Sequence, residues 1–70
     1  MSDNRIQELR EELRLRFGNQ YARPTFARRV GVSERSLLNY EQGRHMPPVH
    51  VALAIARELG TEVERLWPAR

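Results

Sequence analysis

The chain has 70 residues, 40% of them hydrophobic and 30% charged, with a net charge of +3 and no cysteine. This length suits one small soluble domain over residues 1–70 and leaves no room for a catalytic cleft between lobes. The lack of cysteine excludes disulfide bridges and thiolate metal sites.

The first predicted helix runs from about Asn4 to Phe17. Its apolar residues recur every three or four positions and form one buried face, made of Ile6, Leu9, Leu13 and Phe17. Ser2 or Asp3 is suited to cap its start, and Gly18 to end it. No stretch of the chain alternates apolar and polar residues as a strand does, so we expect helices throughout.

The second helix is predicted from Pro24 to about Val30, because proline is preferred in a first helical turn. Ser33 then supplies a cap for the third helix, which spans residues 34–42 and ends at Gly43. The fourth helix follows the pair Pro47-Pro48 and ends at Gly60. For the fifth helix, Thr61 and Glu64 have the spacing of a capping box, and its apolar residues are Val63, Leu66 and Trp67.

The third helix carries side chains that suit base recognition. At about 3.6 residues per turn, Leu37 and Glu41 face one side with Tyr40, while the other side presents Arg35, Asn39 and Gln42. Arginine matches guanine, and carboxamides match adenine. All twelve basic residues are arginine, although a codon bias would give the same composition. On composition alone, an ordinary polar helix face remains the alternative.

A longer run of the chain resembles a known family. The segment reads FARRVGVSERSLLNYEQGRHMPPVHVALAIARELGTEVERLW. It resembles the helix-turn-helix family of the phage Cro and repressor proteins, also called the XRE family. Phe26-Ala27 stands at the family's Leu-Ala, and Gly31-Val32-Ser33 matches its turn. Leu37, Tyr40, Glu41 and Gly43 match its "hydrophobic, aromatic, Glu, any, Gly" pattern, and RIQELREEL resembles its first helix.

The resemblance implies a compact, all-α, five-helix domain like that of the lambda repressor, with helices two and three as the helix-turn-helix. The third helix would read the major groove of double-stranded DNA while the second crosses the backbone. The residues that we expect at the DNA are Arg23, Ser33, Glu34, Arg35, Ser36, Leu38, Asn39, Gln42 and Arg44. We therefore expect a sequence-specific transcriptional regulator that acts as a repressor by occupying its operator.

The resemblance also implies one structural ion pair and two departures from the family. Glu41 would pair with Arg10 of the first helix and serve the fold. Arg23 stands where the family often has a phosphate-binding glutamine. About six extra residues precede the second helix, and for two of them, Phe17 and Tyr21, we favour packing over DNA or dimer contacts.

Several other functions find no support in the sequence. His45 and His50 lack the further ligands that a metal site needs, and no catalytic set, cofactor motif or small-molecule site is evident. No apolar run approaches the roughly 20 residues that span a bilayer. The N-terminus lacks a signal-peptide pattern, so we expect a cytoplasmic protein, nucleoid-associated when bound to DNA.

The sequence leaves two questions about partners open. A repressor of this size needs two copies on a two-fold site, and we expect a homodimer contact on the fifth helix with Trp67. The alternative function is a protein-interaction module, such as an antitoxin or an accessory subunit, whose protein partner would bind Trp67 or the extension of the first helix.

Overall fold

The structure, a computed structural model, describes residues 4–68. Five α-helices make up this range, and they are α1 (Ile6–Phe17), α2 (Arg23–Val30), α3 (Glu34–Glu41), α4 (Val49–Leu59) and α5 (Val63–Leu66). A short 3₁₀ helix, Asn19–Tyr21, lies between α1 and α2 and was not predicted. No strand occurs within residues 4–68, and the all-α, five-helix prediction is confirmed.

Helix α1 begins at Ile6, two residues later than predicted, and Asn4 forms hydrogen bonds just before its first turn. The Asn4 Oδ1 accepts a hydrogen bond from the Ile6 N–H at 3.1 Å, and its Nδ2 donates to the Tyr40 carbonyl at 2.7 Å. Asn4 therefore satisfies one of the free amides of α1 and ties its start to α3. The predicted caps, Ser2 and Asp3, lie outside the described residues.

The extra segment before α2 packs on the domain through one aromatic ring. The half-buried Tyr21 ring lies 6.2 Å from the Phe17 ring and 6.4 Å from the Phe26 ring, between centroids, and the Arg29 guanidinium carbon lies 4.9 Å from its centroid. The preference for packing agrees with the position of Tyr21. It was wrong to place Phe17 in the core, since 56% of its surface is exposed.

The boundaries of the later helices differ from the predictions by one or two residues. Helix α2 begins at Arg23, one residue before Pro24, and α3 ends at Glu41, one residue early, because Gln42 forms its C-cap. The capping box predicted at Thr61 is wrong. Helix α5 begins only at Val63, and no side chain caps it.

The core lies between α1, α2, α3 and α4, with α5 closing one end. Its fully buried apolar residues are Ile6, Phe26, Leu37, Ile55 and Leu66. Burial of each such side chain contributes about 1.5–3 kcal/mol. Leu37 fixes the inner face of α3, so the opposite face of that helix must point to solvent. No helix within residues 4–68 has the length and apolar character needed to cross a bilayer.

Candidate nucleic-acid interface

Helix α3 has one buried face and one open face. Leu37 and Glu41 are fully buried on the inner side. On the outer side, Arg35 is exposed, and Leu38 and Asn39 are half-buried. Neither the Arg35 nor the Asn39 side chain forms a hydrogen bond or an ion pair with another described residue. The functional groups of both side chains therefore have no partner among the described residues, and their contact with DNA stays a prediction.

Two serines define the start of this open face. The Ser33 Oγ accepts a hydrogen bond from the Ser36 N–H at 3.0 Å, which is the predicted N-cap. The Ser33 hydroxyl also donates to the Ser36 Oγ at 3.0 Å. The hydroxyl proton of Ser33 is thus already donated within the protein, whereas the Ser36 hydroxyl can still donate its proton to another group.

The carboxylate of Glu34 stands at the edge of the open face. It forms no ion pair with Arg35 or any other described residue. Glu34 and Arg35 line one shallow depression together with Arg23 and Leu38. The two arginines offset part of the negative charge that Glu34 would bring near a polyanion, and the carboxylate remains open to a hydrogen-bond donor.

The buried end of α3 carries an ion cluster. Glu41, which is fully buried, accepts hydrogen bonds from the Arg10 Nε at 2.6 Å and the Arg10 Nη2 at 3.3 Å. The Arg10 Nη1 donates to the Tyr21 carbonyl and to a Glu11 carboxylate oxygen, each at 3.0 Å. The predicted ion pair of Arg10 and Glu41 is present, and Arg10 also holds the extra segment in place.

A second arginine in this cluster was not predicted. The Arg23 Nε donates to the Glu41 Oε1 at 3.0 Å, and 27% of the Arg23 side-chain surface is exposed. The two Nη groups of Arg23 bond to no other described residue. Helical spacing gave no sign of this contact, because the two residues lie 18 positions apart on different helices. The only signal was a charged residue where the family often has glutamine.

The surroundings of Arg23 form a polar depression beside α3. Helix α2 begins there after Ala22 with no side-chain cap, so its first amides lack a partner. Arg14 and Gln7 of α1 line the depression, and Glu34 lines its edge toward α3. An anion at this place would meet the guanidinium groups of Arg23 and Arg14 and the uncapped end of a helix. It would also meet the carboxylates of Glu11 and Glu34, which line the same depression.

The other end of α3 presents two more of the predicted residues. Gln42 and Arg44 are both exposed. Gly43 adopts a φ of 76°, a left-handed conformation that favours glycine, and the Arg44 N–H donates to the Asn39 carbonyl at 3.0 Å. This turn places Arg44 next to the end of the open face. Within residues 4–68 no group of three His, Asp or Glu side chains has a geometry suited to a metal ion.

Comparisons with known proteins agree with this arrangement. The helix-turn-helix family model matches residues 25–66, which is more than half of the chain. Among solved structures, the P22 c2 repressor in complex with a synthetic operator has a TM-score of 0.78 and 23% identity, covering 94% of this chain and 91% of the repressor chain. At that identity the likeness establishes the fold.

A second similar structure is that of ComR from Streptococcus suis. It has a TM-score of 0.63 and 25% identity, covering 100% of this chain. This chain spans only 22% of the ComR chain. No curated protein matches the chain by sequence.

Proposed function

Because this chain belongs to the Cro/C1-type helix-turn-helix family of DNA-binding transcription regulators, we propose that it represses transcription by occupying an operator on the nucleoid. The main support for this proposal comes from Arg35 and Asn39, which lie one turn apart on the open face of α3. Their side chains have no partner among the described residues. Occupancy of a promoter needs no catalytic group, so the domain acts by binding and not as an enzyme.

Base recognition follows from the open face of α3. In the major groove Arg35 would donate two hydrogen bonds to a guanine, and Asn39 would pair with an adenine. Leu38, between them along the chain, offers an apolar contact for a thymine methyl group. Glu34 would accept a hydrogen bond from a cytosine amino group, and sequences without that cytosine would meet an unpaired carboxylate.

Phosphate contacts on both sides of α3 would fix its position. Arg23 supplies two Nη groups without a partner among the described residues at the uncapped start of α2, and the Ser36 hydroxyl supplies a further donor on the first turn of α3. Gln42 and Arg44 would hold the backbone at the other end of α3. Ser33 contributes mainly by shaping the helix start, since its proton is already bonded to Ser36.

A two-fold operator is part of this proposal. One short helix reads only a few base pairs, and a homodimer on half-sites one helical turn apart doubles the sequence that is read. The sequence favoured α5 and Trp67 for the dimer contact. Trp67 is half-buried and packs against the core, which leaves less of it for a partner.

Selection of duplexes from a random pool, followed by fluorescence anisotropy, tests the proposal. On the selected site, Arg35→Ala should cost about 1–3 kcal/mol of binding free energy and relax the preference at one base pair. Arg16→Ala, on α1 away from the open face, is the matched control and should bind like the unchanged protein. If Arg35→Ala leaves every duplex equally well bound, α3 is not the reading helix.

Salt dependence separates this proposal from a protein-interaction function. Binding through several arginines and phosphates releases counterions, so affinity should fall steeply between about 50 and 200 mM salt. A contact between apolar protein surfaces should respond little to the same change. A flat salt response, together with no enriched sequence in the selection, would favour a protein partner.

A further inference from the structure

Leu38 is an apolar side chain on the open face of α3 that takes no part in the core. It is half-buried, and among the half-buried leucines of residues 4–68 it is the only one that does not pack against the hydrophobic core. The other residues of this face are polar or charged. The packing of the core therefore does not explain an apolar residue at this position.

Leu38 lies in the same row of α3 as Glu34. The two residues are four positions apart, which places their β-carbons about 5–6 Å from each other on one face of the helix. Both line one shallow depression, together with Arg23 and Arg35. The Glu34 carboxylate forms no hydrogen bond or ion pair with another described residue. This row thus offers a hydrogen-bond acceptor next to an apolar contact.

Three pyrimidines that occur in DNA fit this row to different degrees. In the major groove, cytosine presents an N4 amino group that a carboxylate can accept from, but it has only a hydrogen atom at C5. Thymine presents a C5 methyl group to Leu38, but its O4 is an acceptor and would repel the Glu34 carboxylate. In 5-methylcytosine the amino group and the methyl group occupy adjacent ring positions. Of the three bases, it alone satisfies both side chains.

We infer that Glu34 and Leu38 together recognise 5-methylcytosine, so that the domain binds a methylated operator more tightly than the unmethylated one. This inference rests on the proposed function, in which α3 lies in the major groove. Glu34 accepts a hydrogen bond from the N4 amino group, and Leu38 covers the C5 methyl group. A reaction that methylates cytosine at C5 in DNA then supplies the preferred ligand, and the methylation of the operator controls its occupancy.

The neighbouring Arg35 completes the match to one base pair. Its guanidinium lines the same depression and offsets part of the negative charge that Glu34 brings near the phosphates. Arginine donates to O6 and N7 of guanine, and these atoms lie beside the N4 group of the paired cytosine in the major groove. Arg35, Glu34 and Leu38 therefore match the major-groove edge of a methylated C·G pair from one side to the other.

The size of one methyl group sets the expected effect. Its burial against Leu38 should tighten binding about fourfold, which corresponds to about 0.8 kcal/mol. In a two-fold operator, methylation of both half-sites should multiply the two factors, because contributions from well-separated sites add as free energies.

Methylation of single cytosines in the selected duplex tests the inference. Each cytosine is replaced in turn by 5-methylcytosine, which leaves its partner guanine unchanged, and fluorescence anisotropy gives the dissociation constant. Methylation at one position of the half-site should tighten binding about fourfold, whereas methylation of the flanking sequence should have no effect. If no singly methylated duplex binds more tightly than the unmethylated one, the inference is overturned.

Variants of Leu38 show whether this side chain causes the preference. Leu38→Ala should bind the methylated and unmethylated duplexes equally, because the methyl group loses its contact. Leu38→Met keeps an apolar side chain of similar volume and should retain the preference. Leu15→Ala, at an exposed leucine on α1, is the matched control and should retain it too. The ratio of the two dissociation constants is taken within each variant, so a general loss of affinity cancels. A preference that persists in Leu38→Ala would contradict the inference.

Glu34→Gln tests the other half of the contact. The unchanged protein should bind a duplex with thymine at this position about tenfold more weakly than one with 5-methylcytosine. A carboxamide can donate as well as accept, so this loss should be smaller in Glu34→Gln. The accompanying exchange of guanine for adenine near Arg35 affects both proteins alike. An equal loss in both proteins would show that Glu34 does not read the amino group.

The outcomes also distinguish this inference from the proposed function. If the unchanged protein binds a selected duplex but ignores its methylation, the proposed function stands and the inference fails. The same holds if the selected half-site contains no cytosine. If the unchanged protein binds no duplex, methylated or unmethylated, the proposed function itself fails.

Discussion

The two faces of α3 use the same residue types for opposite purposes. On the inner face Glu41 is fully buried and its two oxygens accept from Arg10 and Arg23. On the outer face Glu34 and Arg35 lie side by side in solvent and form no ion pair with each other or with other described residues. The difference shows that burial decides whether a charged side chain serves the fold or remains free to bind.

The comparison also explains how the side chains of the open face can be held in a fixed position. A charge removed from water must be satisfied completely, so the Arg10–Glu41 pair has few alternative positions. That pair holds α3 against α1, and the open face is carried on the same short helix. Arg23 belongs to both environments, because its Nε bonds to the buried Glu41 while part of its guanidinium reaches the surface.

The largest expected effect comes from breaking the buried face. Glu41→Ala should lower the free energy of unfolding by about 3–5 kcal/mol, since it removes the buried carboxylate that pairs with Arg10 and leaves that guanidinium only the partly exposed Glu11 as an acidic partner. Urea denaturation followed by circular dichroism measures this change. The double variant Arg10→Met/Glu41→Leu removes both buried charges and should be considerably more stable than Glu41→Ala. Equal loss in both variants would mean that the volume of the side chains, and not the charge, sets the stability.

A smaller effect is expected at Arg23, where the two faces meet. Arg23→Gln should lower the free energy of unfolding by about 1–2 kcal/mol, because a hydrogen bond to a buried carboxylate is lost. It should also reduce the slope of log affinity against log salt by about 0.9, the value for one phosphate contact. Arg23→Lys keeps the charge and should retain the slope. If Arg23→Gln alters stability alone, the residue belongs only to the fold.

Much of the fold was predictable because its signals are local. Ser33 marks the start of α3 through a hydrogen bond three residues along the chain, and Gly60 follows α4 in a left-handed conformation. The start of α5 was misplaced because Thr61 and Glu64 have capping-box spacing, yet Glu62 is extended and forms the N-cap, so the helix begins only at Val63. Spacing permits a cap, whereas backbone conformation determines whether one forms.

The candidate site was predictable only in part, since some of its contacts join distant segments. The open position of Arg35 follows from helical periodicity, and the Arg10–Glu41 pair came from the family resemblance. The bond from Arg23 to Glu41 depends on how α2 crosses α3, which no periodicity encodes. The exposure of Phe17 was likewise missed, because its spacing fits the inner face of α1 but the helix there extends past the core.

Two serine variants at the start of α3 should have an intermediate effect and separate its contribution to stability from its contribution to DNA binding. Ser33→Ala should lower the free energy of unfolding by about 1 kcal/mol, since the Ser36 N–H loses its cap. Ser36→Ala keeps that cap and should change stability little, but it removes the hydroxyl proton that Ser36 would donate to DNA. Thermal denaturation and anisotropy on the selected site measure the two effects. Equal stability of the two variants would contradict the assignment of the cap to Ser33.

The smallest expected effect lies at the solvent end of the ion cluster. The hydrogen bond from Arg14 lowers the pKa of Glu11 below its usual range, and the nearby charges of Arg14 and Arg10 add to this. A carboxylate with a lowered pKa stabilises the fold above its unfolded pKa of about 4.3, and this contribution is lost as the pH falls through the lower folded pKa. Because 40% of the Glu11 side chain is exposed, solvent keeps the contribution small.

Arg14→Ala should therefore raise the pKa of Glu11 toward the usual glutamate range, which an NMR titration of its side-chain carboxyl carbon measures. Arg16→Ala, which removes an arginine from the same turn of α1 without touching Glu11, should leave that pKa unchanged. An equal response to both variants would mean that the overall positive charge of α1, and not the specific hydrogen bond, acts on Glu11. In that case the exposed Glu11 would respond to net charge alone. The buried Glu41 would still differ from it, because Glu41 is held by hydrogen bonds from particular arginines.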